Sequence, residues 1–150
     1  MRWTLEGINT GLDHIGFYQA NRVDVSMRED AMILVFSDYG DLPVALAIGE
    51  SQIMVEASLV ERHEFTDPSE IDYRLLSTHK YLPLSTIAIQ NINGVDWYVL
   101  FGALSAYSRI EVIAEELLAL VSNTFSVIDT LEPLYSFNVS STETSTREVQ

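Results

Sequence analysis

TDPSEIDYRLLSTHKYLPLSTIAIQNINGVDWYVLFGALS (66–105) decides the fold of this chain, because it holds one delimited helix followed by one delimited β-hairpin. Asp67 can cap the helix, Pro68 suits its first position, and Glu70 can reach back to the amide of the cap. Pro83 prevents the helix from continuing, so the helix is expected to end just before it.

The second half of the stretch predicts a hairpin. Two strand-like runs, 85–90 and 95–104, are separated by NING. Asn93 and Gly94 both tolerate positive φ, and Asn-Gly between two such runs is a strong hairpin signal. The second run is apolar at nearly every position, so this strand is expected to be covered on both faces.

Upstream, residues 23–60 predict an antiparallel meander of three or four strands. The runs are VDVS (23–26), AMILVFS (31–37), PVALAIG (43–49) and SQIMVEASLV (51–60), bounded by turn-favouring clusters. Connections this short suit antiparallel neighbours, because a parallel return needs a crossover of about a dozen residues.

A helix is predicted at each end of the domain. Near the N-terminus one apolar stripe is spaced for a short helix, with Leu5, Ile8, Leu12 and Ile15 at intervals of three and four. Near the C-terminus a long apolar pattern predicts a helix over 109–131, with Ser108 and Glu111 as a capping box and 122–124 as the expected place for it to bend or break.

The element order is therefore helix, strands, helix, hairpin, helix, which predicts an α+β fold with an antiparallel sheet. Residues 1–135 form one domain in this interpretation. Residues 136–150 are rich in serine and threonine and are expected to be a disordered tail.

Composition excludes several classes of function. The net charge is −14, so nucleic acid and anionic lipid are not expected as partners. Cysteine is absent, which removes disulfides and thiolate chemistry and fits a cytoplasmic protein. No apolar run approaches the ~20 residues of a membrane span, so no direct membrane insertion is expected.

The sequence carries no recognisable catalytic motif. It lacks a phosphate-binding glycine loop and a nucleophile elbow, and His14, His63 and His79 lie on three different predicted elements. We therefore predict no catalytic residues, no metal site and no cofactor. Near the end of the second helix, His79 and Lys80 are expected to supply favourable charge at the helix C-terminus.

LSTHKYLPLSTIAI (76–89), followed by GVDWYVLFGALS (94–105), resembles the YjfI-like family of uncharacterised bacterial proteins, and the resemblance runs over most of residues 1 to 135. It implies a bacterial cytosolic protein, often encoded near a relative of phage-shock protein A. A role in envelope stress and a phage-shock-protein-A-like partner are what the resemblance implies.

The element order, size and charge are also similar to those of class I type III secretion chaperones and YbjN-like proteins. That similarity implies a homodimer whose sheet and first helix hold an extended segment of another protein.

The leading hypothesis is a non-enzymatic, acidic protein-binding module, chaperone-like or regulatory. Its predicted partner contacts are Leu5, Ile8 and Leu12 on the first helix, and Val23 and Val25 in the edge segment 22–27. Two alternatives stay open. One is a structural subunit of a membrane-stress assembly; the other is a small enzyme whose site combines His79, Glu56 or Glu64, and Tyr98.

Overall fold

A computed structural model describes residues 1–134; the predicted tail, 136–150, lies outside the described residues. The main elements follow the predicted order, with one short extra helix. They are α1 (Leu5–His14), α2 (Phe17–Asn21), β1 (Val23–Met27), β2 (Met32–Phe36), β3 (Leu42–Ile48), β4 (Gln52–Glu61), α3 (Pro68–Thr78), β5 (Thr86–Ile92), β6 (Val95–Ser105) and α4 (Ile110–Leu131). The predicted α+β class is confirmed.

The six strands form one antiparallel sheet in the order β1-β2-β3-β4-β6-β5. The meander β1–β4 and the hairpin β5–β6 join through β4 and β6, so β1 and β5 are the edges. The hairpin turn is as predicted, with φ of 53° at Asn93 and 86° at Gly94. A bulge between Ser58 and Val60 shifts the pairing of β4 with β6 near the end of β4.

Alternate residues of every strand face a layer of helices, and we call this side the inner face. Its fully buried side chains include Leu34, Leu46, Val55 and Leu100, which belong to one core with residues of α1, α3 and α4. Strand periodicity of two therefore sets which side of the sheet each residue lies on.

The start of α3 is as predicted and its end differs slightly. The Asp67 side chain accepts a hydrogen bond from the Glu70 amide, and Pro68 occupies the first turn. The Glu70 carboxylate accepts from Arg74 instead of reaching back to the cap. The α-helix ends at Thr78, and a single 3-10 turn over 79–81 completes the segment before Pro83.

Two expectations about α4 were wrong. The side chain of Ser108 makes no cap: Arg109 is the N-cap residue, and the Ser108 carbonyl accepts a hydrogen bond from the Trp3 indole at 2.6 Å. The helix also continues without a break through 122–124, where Asn123 and Thr124 are buried and hydrogen-bonded while Ser122 is exposed. Asn123 donates to the Pro83 carbonyl at 2.7 Å, which ties α4 to the segment before β5.

The short helix α2 had no counterpart in the sequence-based prediction. Its cap residues Gly16 and Arg22 are both left-handed, with φ of 76° and 55°. These two reversals turn the chain from α1 into β1. Within residues 1–134 no helix is both long and apolar enough to cross a membrane.

Candidate partner-binding surfaces

The side of the sheet opposite the helices is apolar and open, and we call it the outer face. None of its side chains belongs to the packed core under the helices. Most of them are half-buried by their neighbours on the sheet, whereas Val99 is almost fully buried. Its apolar members include Ile33, Val35, Ala45, Ala47, Met54, Val99, Phe101 and Ala103.

One carboxylate, Glu56, lies near the middle of the outer face. It is paired across the sheet with Ala45 on β3 and Phe101 on β6. In the described part of the chain it has neither a hydrogen bond nor an ion pair. Burial among these apolar neighbours raises the pKa of Glu56 above its ordinary value.

The edge segment predicted to contact a partner is only partly open. Val23 is buried, and Val25 is half-buried and packs against the core. The two valines and Asp24 line one side of a shallow polar depression against α1. On the helical side of the depression, Tyr18 of α2 donates a hydrogen bond to Asn9 of α1 at 2.7 Å. Burial, together with the nearby charge of Asp13, raises the pKa of Tyr18 to about 12.

The first helix holds its predicted contact residues mostly inside the molecule. Ile8 and Leu12 have no exposed surface and belong to the core, while Leu5 is half-buried against it. As partner contacts all three stay predictions, but Ile8 and Leu12 could act only by supporting the surface above them. The apolar stripe was correctly located, and its neighbour is the chain itself.

A second apolar surface lies between α3 and β5, and sequence reasoning missed it. A groove there is lined by Leu75, Leu76, Ile87, Ala88, Ile89, Tyr98 and Asp72. Two of these lining residues, Leu76 and Ile89, are 66% and 48% exposed, and Tyr73 on the same helix as Leu76 is 69% exposed. Leu76 is apolar like its neighbour Leu75, yet it points away from the core. Adjacent helical residues are 100° apart, and Leu75 already takes the position facing the core.

The groove is bounded by a polar cluster. Arg62 donates to both oxygens of the Asp72 carboxylate, with three contacts of 3.0, 3.2 and 2.7 Å, and Tyr98 donates to the same carboxylate. The hydrogen bond from Arg62, more than that from Tyr98, lowers the pKa of Asp72. Burial, followed by the hydrogen bond to Asp72, raises the pKa of Tyr98.

Two residues of the alternative enzymatic site, Glu56 and Tyr98, lie on opposite faces of the sheet. Glu56 is on the outer face, while Tyr98 is on the inner face and bonded to Asp72. His79 accepts a hydrogen bond from the Ile87 amide at 3.4 Å through Nδ1.

One cluster of metal-ligand type appears among the described residues. Glu61 ends β4, and His63 and Glu64 lie in the turn that follows it. The ligand atoms of these three residues lie within 4.8 Å of one another. His63 and Glu61 form an ion pair if the ring is protonated. Exposed acidic groups often gather in this way without a metal, so the cluster is not assigned as a metal site.

The core contains one unsatisfied acid. Glu116 on α4 is 5% exposed, and its Oε2 has no hydrogen-bond partner within residues 1–134. It lies over Gly102 of β6, where a Cβ would come within 1.8 Å of that oxygen. Burial, and to a lesser degree the charge of Glu115, raises the pKa of Glu116.

Comparison with known proteins places the chain in a family. Residues 2–135 match the family model DUF2170, described as "Uncharacterized protein conserved in bacteria", and the chain belongs to this family. It is 30% identical over 132 residues to the uncharacterized protein YjfI of Escherichia coli strain K12. The matched region is 88% of this chain and 97% of that protein. The predicted YjfI-like membership is confirmed.

Solved structures share the fold at low sequence identity. The crystal structure of YbjN from E. coli has a TM-score of 0.64 at 12% identity, covering 87% of this chain and 92% of that chain. A chain of the ExsC–ExsE complex also has a TM-score of 0.64, at 15% identity, covering 91% and 98%. These matches confirm the predicted fold, which is YbjN-like and secretion-chaperone-like.

Proposed function

We propose that this protein is a non-enzymatic, homodimeric, acidic module that binds another protein and keeps it soluble or in check. The observation that carries the proposal is the outer face. A sheet that leaves one apolar side bare is normally covered by a further layer of polypeptide. The family resemblance adds the finer proposal of a cytoplasmic role in envelope stress, with a phage-shock-protein-A-like protein as partner.

The similarity to the ExsC–ExsE structure supports a protein as the ligand, since that structure is of a complex between two proteins. The apolar lining supports it as well. Within residues 1–134 the outer face is a broad apolar sheet surface, whereas small-molecule sites are usually concave.

The second copy is proposed to bind at the α3–β5 surface. Strand β5 is an edge of the sheet and its residues, TIAIQNI, carry no charge. Two chains of net charge −14 repel each other, so they are expected to meet at an edge strand that carries no charge. The exposed side chains of Leu76 and Ile89 would then be covered in the dimer.

The dimer and the partner surface can be tested separately. Light scattering should show a wild-type dimer, and Leu76→Asp with Ile89→Asp should give a folded monomer. Leu118→Asp, at an exposed position of α4, is the matched control and should remain dimeric. A monomeric wild-type protein at micromolar concentration would contradict the dimer.

For the partner surface, Ala103→Asp places a charge at an exposed position of the outer face. Affinity purification from a bacterium that encodes the protein should recover a partner with the wild-type chain and lose it with Ala103→Asp. Retention of that partner by the variant, with circular dichroism showing an unchanged fold, would contradict binding through the outer face.

A further inference from the structure

The outer face has an unusual charge pattern. None of the six strands contains a lysine, arginine or histidine. The acidic residues on the outer face of the strands are Asp24, Glu56 and Glu61. Asp24 lies on the edge strand and Glu61 at the end of β4, so Glu56 is the acid in the middle.

Covering Glu56 with a purely apolar partner would be unfavourable. Its side chain is already partly desolvated and has no hydrogen-bond donor in the described part of the chain. A partner layer would remove the remaining water, and burying a charged carboxylate without a donor is costly. A positively charged donor on the occupant would remove this cost at Glu56.

A second copy of the chain does not meet this requirement. The strands of its own outer face offer only further carboxylates, and its net charge is −14. Stacking two such faces would bring acid toward acid. This is why the self-association proposed above uses the α3–β5 surface, whose edge strand carries no charge, and leaves the outer face for another protein.

The geometry of a sheet face also restricts the shape of the occupant. The backbone groups of the inner strands are already paired within the sheet, so they offer no ladder to an incoming strand. A helix satisfies its own backbone and presents an apolar stripe, and it is about as wide as two strand spacings. Ala45 and Ala47 on one side of Glu56, and Ala103 on the other, leave room for such a helix.

We propose that the outer face binds an amphipathic helix of the partner protein whose apolar stripe carries a lysine or arginine that pairs with Glu56. This inference rests on the proposed function, because it specifies the partner of the same surface. Glu56 acts as the residue that selects the register and charge of the bound helix.

The test uses two designed peptides of identical composition, each about five helical turns long. In one, a single lysine is centred in the leucine- and alanine-rich stripe; in the other, that lysine is moved to the polar side. Fluorescence anisotropy with the full chain at about 0.15 M salt measures both affinities. The wild-type protein should bind the first peptide about tenfold more tightly than the second.

Glu56→Gln should remove this preference, whereas Asp24→Asn, which also removes one outer-face charge, should keep it. Glu56→Lys should instead prefer a third peptide with glutamate in the centre of the stripe. Equal binding of the first two peptides by the wild-type protein would overturn the role of Glu56, while a partner recovered through the outer face would leave the proposed function standing.

Binding of neither peptide would overturn the helical occupant. Formation of larger oligomers by Glu56→Gln, with the outer faces protected from labelling, would also overturn the inference, because a second copy would then be the occupant. Thermal unfolding of each variant verifies that the fold is kept.

Discussion

Arg62 and Asp72 form a bidentate ion pair that fastens the turn after β4 to the first half of α3, with contacts of 3.0 and 2.7 Å. The two side chains are 28% and 24% exposed. Tyr98 of β6 donates to the same carboxylate, so one acid connects a turn, a helix and a strand. This connection holds α3 at the margin of the sheet and shapes the groove of the α3–β5 surface.

Asp72→Asn should lower the free energy of unfolding by about 1–3 kcal/mol at neutral pH, because Arg62 and Tyr98 lose an ionised acceptor. The pKa of Asp72 is lowered in the folded state, so its contribution is present above the unfolded carboxyl pKa of about 3.9 and is lost as pH falls through the folded value. Urea unfolding at several pH values measures both effects. Glu70→Gln, which breaks the exposed pair with Arg74, should change stability by less than about 0.5 kcal/mol.

Glu116→Gln should stabilise the protein at neutral pH by about 1 kcal/mol or more, because the wild-type side chain places an unpaired charge in the core. The pKa of Glu116 is raised, so the wild-type protein loses stability relative to the variant as pH rises through that value. Thermal melts between acid and neutral pH record the difference. Glu115→Gln removes a nearby exposed charge and should give only a small part of the stability gained by Glu116→Gln. An effect equal to that of Glu116→Gln would contradict the prediction.

Gly102→Ala should destabilise the fold by about 1–3 kcal/mol, because the new Cβ would overlap Glu116 and approach the Leu84 carbonyl at 3.2 Å. Combining it with Glu116→Ala should restore part of the loss, and a double-mutant cycle measures this coupling. Gly49→Ala is the matched control, since its Cβ would meet its nearest neighbour at 3.6 Å. Simple additivity of the two core changes would show that Gly102 and Glu116 do not clash.

Ile8→Ala and Leu12→Ala should each cost about 2–5 kcal/mol of stability, because both side chains are fully buried. Guanidinium unfolding measures the loss. Ile15→Ala, at a position that is 41% exposed, should cost far less. Variants at Ile8 and Leu12 that kept wild-type stability but lost a bound partner would restore the original expectation that these residues contact the partner directly.

Sequence patterns predicted the elements best where local chemistry is decisive. Asp67 and Pro68 begin α3, and Asn93 with Gly94 forms the hairpin turn, because capping and positive φ are properties of a few neighbouring residues. The helix α2 was missed because it is only five residues long, too short for a helical repeat of apolar residues to appear in the sequence.

The candidate surfaces depend on which neighbouring element covers each apolar residue. The spacing of residues along the sequence does not contain this information. The stripe of α1 looked available for a partner, yet Ile8 and Leu12 face the chain's own core. Asn123 resembled a helix break because its partner, the Pro83 carbonyl, is far away in sequence. The significance of Glu56 appeared only when register placed it between Ala45 and Phe101.

Helices cover only one face of the sheet, so the molecule resembles one half of a β-sandwich. It has its own core, but its second apolar sheet face is left uncovered. Substitutions at alternate positions along a strand should therefore have different effects. Changes at inner-face positions such as Leu34 or Leu100 should reduce the amount of protein in the cell. Changes one residue along, at positions such as Ile33 or Phe101, should leave more of the protein in the cell and mainly weaken binding of the proposed partner.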